Sequence, residues 1–126
     1  EGCPVNIDIK KFICQIQNKD YKGAYFTIKE KNNFLSICGR VCPAEYQCRK
    51  SCILTKKNES FASDNAVNIN FLERFIGDYG MKNDLSPLYK KDDKLSKFKV
   101  AVIGSGPAGL CAAGELARVG IKVVIF

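Results

Sequence analysis

The chain is 126 residues long, about the material of one domain, or of one small domain and part of a second. At 46% hydrophobic and 26% charged residues it is no disordered tail, and no apolar run approaches the ~20 residues that span a bilayer. A net charge of +7 comes with no histidine at all, which excludes mechanisms that need imidazole as base, proton shuttle or metal ligand.

The opening Glu1-Gly2-Cys3 lacks a Met, a basic segment and an apolar core, so the sequence is read as carrying no signal peptide and as a fragment of a longer chain. Ile9, Phe12, Ile13 and Ile16 recur at helical spacing and predict an amphipathic helix over about residues 6–18, with Cys14 beside the stripe as a small buried hydrophobe. Asp20 reads as the N-cap of a second helix, with Tyr21, Ala24, Tyr25 and Ile28 on its apolar face as far as about Lys31. From Phe34 to Cys52 there is no clean period, as befits a cofactor-ligating loop region. Residues 55–65 are polar and read as a loop.

Ile69, Leu72, Phe75, Ile76 and Tyr79 predict a third helix ending at Gly80, with Asn70 and Glu73 in a capping-box-like pair near its start. Between Met81 and Lys99, six lysines and three aspartates surround Ser86-Pro87; this segment reads as a solvated linker and domain boundary. The lysines are scattered, without an arginine-rich stripe or interleaved aromatics, so they read as a solvated surface and not as a nucleic-acid site. An acidic partner protein or a phosphorylated cofactor fits the same charge.

The last segment is locally the most specific. Lys99–Ile103 reads as a strand, Gly104-Ser105-Gly106-Pro107-Ala108-Gly109 as a glycine loop opening a helix that ends at Gly120, and Ile121–Phe126 as a second strand. Gly104 permits a tight turn, Gly106 lets backbone approach a pyrophosphate, and Gly109 allows the helix to pack closely on the strand. The acidic residue that completes such a fingerprint is due at about Phe126, so the fold is expected to be cut in mid-domain and to bind a dinucleotide poorly by itself. Cys111, among small residues in the helix, reads as packing.

Cysteines number seven, an odd count that argues against a secreted disulfide framework and for a cytoplasmic setting. Four fall in the run Cys38-x3-Cys42-Pro43-x4-Cys48-x3-Cys52, and Cys3 is likewise followed by Pro4. Zinc, an iron–sulfur cluster and redox cycling are the candidate uses. Cys-Pro dipeptides occur in bacterial-type ferredoxins, where the Cys before Pro serves a different cluster from its neighbours, and this favours iron–sulfur. Zinc sites usually have a longer spacer between their Cys pairs than the five residues here. By spacing alone, Cys38, Cys42, Cys48 and Cys52 would group around one site.

Taken in order, Cys3-Pro4, Ile7–Ile13, Ile37–Pro43, Gln47–Cys52, Phe71–Tyr79 and Val102–Leu110 resemble the N-terminal part of the NADPH-dependent glutamate synthase small (beta) subunit family. The N-terminal region of dihydropyrimidine dehydrogenase and the flavin subunits of some ferredoxin:NADP oxidoreductases share the layout. The resemblance covers nearly the whole chain. It implies a mainly α fold: a helical iron–sulfur domain over about 1–97, with its linker at about 81–97, then the truncated β-α-β start of a Rossmann-like FAD-binding domain over 98–126.

It further implies [4Fe–4S] clusters, FAD bound at Gly104–Gly109, and NADPH or NADH as the source of electrons. The implied partner is a large FMN-containing subunit or domain, or ferredoxin, with neither nucleic acid nor membrane involved and an oligomer compatible. In the family, positions matching Cys3, Cys42 and Cys48 hold one cluster with a Gln or Glu at the position of Glu73. The position of Cys52 joins cysteines upstream of this sequence in another cluster, and Cys38 is no ligand. The chemistry would be electron transfer in glutamate synthesis, with pyrimidine reduction or ferredoxin-linked transhydrogenation as the alternative within the family and a zinc-binding interaction module as the alternative outside it. The fragment alone is not expected to be a competent enzyme.

Overall fold

In a computed structural model, residues 2–55, 65–86, 89 and 91–126 are described; the polar loop expected at 55–65 falls almost wholly outside them. The chain divides into two compact units, Glu1–Ser86 and Pro87–Phe126. No helix among the described residues is long and apolar enough to cross a membrane.

The first unit is helical. α1 (Ile9–Gln17) starts where the Asp8 carboxylate accepts from the Lys11 amide at 3.0 Å, and α2 (Tyr21–Lys29) where Asp20 accepts from Gly23 at 2.9 Å. Both aspartates satisfy an amide that the first turn leaves without an intrahelical acceptor. The apolar stripe of α1 buries Phe12, whereas Cys14 lies on the exposed side and accepts from the Asn18 side chain at 3.6 Å; it is not the buried residue the sequence suggested.

α3 (Leu35–Val41) lies within the stretch that shows no apolar period, and a 3-10 turn (Ala44–Tyr46) follows it. α4 (Ile69–Lys82) is the long helix on which α3 and α2 pack, while α1 packs on α2. α3 comes down on α4 at two glycines: a Cβ on Gly39 would stand 2.5 Å from the Arg74 amide nitrogen, and one on Gly77 2.5 Å from Ser36 Oγ. The Arg40 guanidinium donates to both carboxylate oxygens of Asp78, at 2.7 and 2.9 Å, across the same contact. Ile7, Phe12, Ala24, Tyr25, Ile28, Leu35, Ile69 and Ile76 form the core, and Cys3 and Cys48 pack against its edge.

α4 does not stop at Gly80. The missing side chain there makes room for the Tyr25 ring, whose hydroxyl donates to the Leu85 carbonyl at 2.8 Å. The helix ends two residues later, and the Leu85 amide turns back to the Gly80 carbonyl at 2.9 Å. The first residues of the lysine-rich segment thus complete this helix.

In the second unit β1 (Lys99–Val102) and β2 (Lys122–Ile125) pair in parallel, Lys99 opposite Lys122 and Val102 opposite Ile125, joined by α5 (Pro107–Arg118). The turn before β1 is tied to this unit by the Asp92 amide, which donates to the Val119 carbonyl at 3.1 Å, and by Tyr89, whose ring lies 4.4 Å from the Arg118 guanidinium.

Candidate metal centre and glycine loop

Each cysteine of the helical unit is placed by a local backbone device. Pro4 fixes the turn in which the Asn6 amide donates to the Cys3 carbonyl at 2.9 Å, with Asn6 at φ +59°. Just before it, Gly2 lies flush on the later loop: a Cβ there would be 2.7 Å from Cys48 Cα and 2.6 Å from Ser51 Oγ. That approach, open only to glycine, brings Cys3 beside Cys48, forty-five positions away in sequence.

Cys38 and Cys42 stand one helical turn apart, the Cys42 amide donating to the Cys38 carbonyl at 3.0 Å. Pro43 denies Cys42 the helical conformation, so Cys42 caps α3 at φ −68°, ψ 130°. Its sulfur lies 3.5 Å from Gln47 Oε1. Consecutive turns then carry Cys48 and Cys52: the Arg49 amide donates to Ala44, Ser51 to Gln47, Cys52 to Arg49 and Thr55 to Cys52.

Glu73 is the surprise of this unit. The helix cap is Asn68, without a side-chain cap bond, and not Asn70, so Glu73 lies well inside α4 and does not close a capping box. Its residue is 7% exposed, and Oε1 accepts from Asn32 Nδ2 at 3.1 Å. Asn32, 6% exposed, is held in turn by the Phe34 amide, which donates to its Oδ1 at 2.8 Å. Starting the helix two residues earlier turns Glu73 by roughly 200° relative to an N-terminal capping position.

Electrostatics show which groups have come together. Burial pushes the Cys48 thiol up to about 11, and the nearby charges of Cys3, Cys42 and Glu73 push the same way, against the Arg49 backbone hydrogen bond. Burial also raises Cys42, reinforced by Cys38, Glu73, Cys3 and Glu45. Cys38 is raised by burial, then by Glu73 and Cys3, while Asn32 works in the opposite direction. Burial lifts the Glu73 carboxyl to about 7, again against Asn32. Cys3, Cys38, Cys42, Cys48 and Glu73 therefore share one neighbourhood, whereas Cys52 does not figure among the charges acting on these thiols.

Such a group of buried acids is at ease only when neutral or when a positive centre sits among them. Among the described residues no three Cys, Asp or Glu close tightly on one point, as a single ion would require. A cubane asks for something different, one ligand at each of four separate iron atoms. Among the described residues, two buried polar atoms lack a hydrogen-bond partner, Arg49 Nε and Asn70 Oδ1, the first next to Cys48 in sequence and the second one turn of α4 before Glu73. An iron–sulfur cluster fits this donor set, since its iron supplies the positive centre that the thiolates and the carboxylate require. Asn32 and Arg49 carry no motif of their own; only the fold reveals them.

The glycine loop has its expected geometry. Gly104 adopts φ +99°, and its amide donates to the Phe126 carbonyl at 2.8 Å. A Cβ on Gly109 would strike the Gly104 carbonyl oxygen and stand 3.3 Å from Val102, so α5 lies directly on β1. Around Gly106 a Cβ would meet nothing within 4 Å, which leaves the backbone open to an approaching phosphate. Ser105, Gly106, Pro107 and Ala108 are all exposed, and Gly106 caps α5 with Pro107 at its first position. Cys111 is exposed and not packed, unlike the expectation from its small neighbours.

Converging thiols on a helical unit, followed by a β-α-β unit with an open glycine loop, define the class of iron–sulfur and flavin oxidoreductases. A family model described as dihydropyrimidine dehydrogenase domain II, 4Fe-4S cluster, matches residues 1–85, and the chain belongs to that family. A model of an FAD binding domain matches residues 97–126, so the chain is a mainly helical 4Fe–4S domain with the start of an FAD-binding domain.

Among its relatives are the NAD-dependent dihydropyrimidine dehydrogenase subunit PreT of Salmonella typhimurium and that of Escherichia coli K12, each 36% identical over 126 residues, 100% of this chain and 29% of theirs. The glutamate synthase [NADPH] small chain of Bacillus subtilis is 38% identical over 99% of this chain and 24% of its own length. The chain thus spans 24–29% of the length of these curated relatives.

Proposed function

We propose that the chain is the electron-relaying part of an NAD(P)H-dependent iron–sulfur flavoprotein, most like the glutamate synthase small subunit. Cys3, Cys42, Cys48 and Glu73 hold one [4Fe–4S] cluster, and Cys52 serves a second. A bound cluster supplies a one-electron station between flavin and acceptor, and the rest is the work of this chain's side chains. Gly2 seats Cys3 against Cys48, Pro43 turns Cys42 out of α3, and α4 presents Glu73 from the core side. Cys38 is left as a neighbour and not a ligand. The loop Gly104–Gly109 takes the ADP half of FAD: its open backbone at Gly106 and the amide end of α5 orient the pyrophosphate.

The observation that carries this reading is the shared neighbourhood of Cys3, Cys42, Cys48 and Glu73, which come from three separate stretches of sequence. An all-local site would have used Cys38, Cys42, Cys48 and Cys52 and left Cys3 elsewhere. The proposed domains are 1–97 for the relay and 98–126 for the start of the flavin domain. Reductant (NADPH or NADH), cytoplasmic setting and a partner with FMN or a ferredoxin belong to the same proposal. A second reading keeps the relay and sends its electrons to pyrimidine reduction; the PreT relatives, matched over all of this chain, favour it.

The test is the full chain purified without oxygen and assayed for iron, inorganic sulfide and flavin. Iron and sulfide in equal amounts, with FAD released on denaturation, support the relay; zinc without sulfide overturns it.

A further inference from the structure

Two side chains compete for the fourth position of the cluster proposed above. Glu73 and Cys38 both act electrostatically on Cys42, and Glu73 and Cys3 both act on Cys38. Asn32 touches both of them. Its Nδ2 donates to Glu73 Oε1 at 3.1 Å, and its Oδ1 lies 3.8 Å from the Cys38 sulfur, a distance at which a thiol proton can still be accepted. The amide cannot turn over at no cost, because the same Oδ1 accepts from the Phe34 amide at 2.8 Å. The nitrogen is thereby aimed at the carboxylate and the oxygen at the thiol. Glu73 is thus held in one orientation by a buried donor, and the Cys38 sulfur is engaged by the other end of the same amide.

We infer that Asn32 is a positioning residue that selects Glu73 over Cys38 as the fourth ligand, by donating to the carboxylate while its oxygen engages the Cys38 sulfur. This rests on the ligand assignment above and names what enforces it. The amide is buried and pinned, and it connects the end of α2, the start of α3 and the middle of α4, so the choice is built into the fold. Without Asn32 the exchange is simple to write: the Cys38 sulfur binds iron as its proton goes to solvent, and the Glu73 carboxylate leaves.

The experiment uses the full chain with its cluster in place. Asn32→Leu is expected to retain iron and sulfide while its electron paramagnetic resonance and its midpoint potential shift away from the parent's, because a thiolate has replaced an oxygen ligand. Adding Cys38→Ser to Asn32→Leu is expected to lose the iron of that cluster, whereas Cys38→Ser alone keeps it with the parent's spectrum. Should Asn32→Leu fail to fold for want of an acceptor for the Phe34 amide, Asn32→Asp keeps that acceptor and sets a carboxylate against Glu73, and the same change of spectrum is expected. A parent-like spectrum and potential in the Asn32 variant that folds overturns the inference. Full iron content in Cys42→Ser or Cys48→Ser would instead overturn the ligand assignment beneath it, so the two failures are told apart.

Discussion

The two units of this chain are built on opposite plans. Among the described residues, the one buried hydrophobic side chain of the β-α-β unit is Ala113, while Phe12, Ile28 and Ile76 anchor a core in the helical one. The helical unit has a buried core, and its proposed site is assembled from residues scattered between positions 3 and 73. In the β-α-β unit the proposed site is one unbroken run of six residues, and packing is sparse, with Ile103, Val124, Ile125 and Phe126 exposed. A motif that is easy to read in sequence is therefore carried by the less self-sufficient unit, because one strand–helix–strand element has faces that only further elements can cover.

Several substitutions would sharpen that contrast. The largest effect is expected at the thiols: Cys42→Ser or Cys48→Ser should abolish assembly of one cluster in the full chain, while Cys14→Ser and Cys111→Ser leave iron and sulfide unchanged. Parent-level iron in the Cys48 variant would break the scattered-site half of the comparison. Next, Ile76→Ala should cost about 2–5 kcal/mol in denaturant unfolding of the helical unit. Ile125→Ala, at an exposed side chain, should stay within about 0.5 kcal/mol.

The iron-free protein should respond to pH through Glu73. Its folded carboxyl titrates at about 7 against an ordinary 4.5, so the folded state holds its proton more tightly than the unfolded one. The advantage is complete below 4.5 and is lost as pH rises through 7, a change of about 3 kcal/mol at most. Glu73→Gln should flatten that profile; a stability that instead rises over this interval contradicts the burial of Glu73. The smallest effect belongs to a local device: Asp20→Ala should lower stability by about 1 kcal/mol through loss of the α2 cap, read as a drop in melting temperature.

Much of this was legible in the residues. The spacing of Ile9, Phe12, Ile13 and Ile16 and the cap at Asp20 encode α1 and α2 locally, and the glycine loop declares its own turn. α3 was not legible, since only Leu35 and Gly39 are buried in it and its contact with α4 is made by backbone and not by an apolar stripe. Glu73 was misread as a cap for a similar reason: the pattern Asn70-x-x-Glu73 is local, but the helix starts at Ile69 and burial against Asn32 decides what the carboxylate does. Joining Cys3 to Cys48 needed the family resemblance, because no pattern in spacing says that Gly2 will lie against a loop more than forty residues on.

That contact at Gly2 has a topological consequence. If iron ties Cys3 to Glu73, the inorganic group closes a ring of about 70 residues, and an unfolded chain so tethered forfeits much of its freedom, on the order of 4 kcal/mol by the entropy of loop closure. The cluster is then a staple as well as an electron carrier. Oxygen damage to it would loosen the leading segment and the Cys48 loop together, so redox function and part of the fold's stability would be lost in one event.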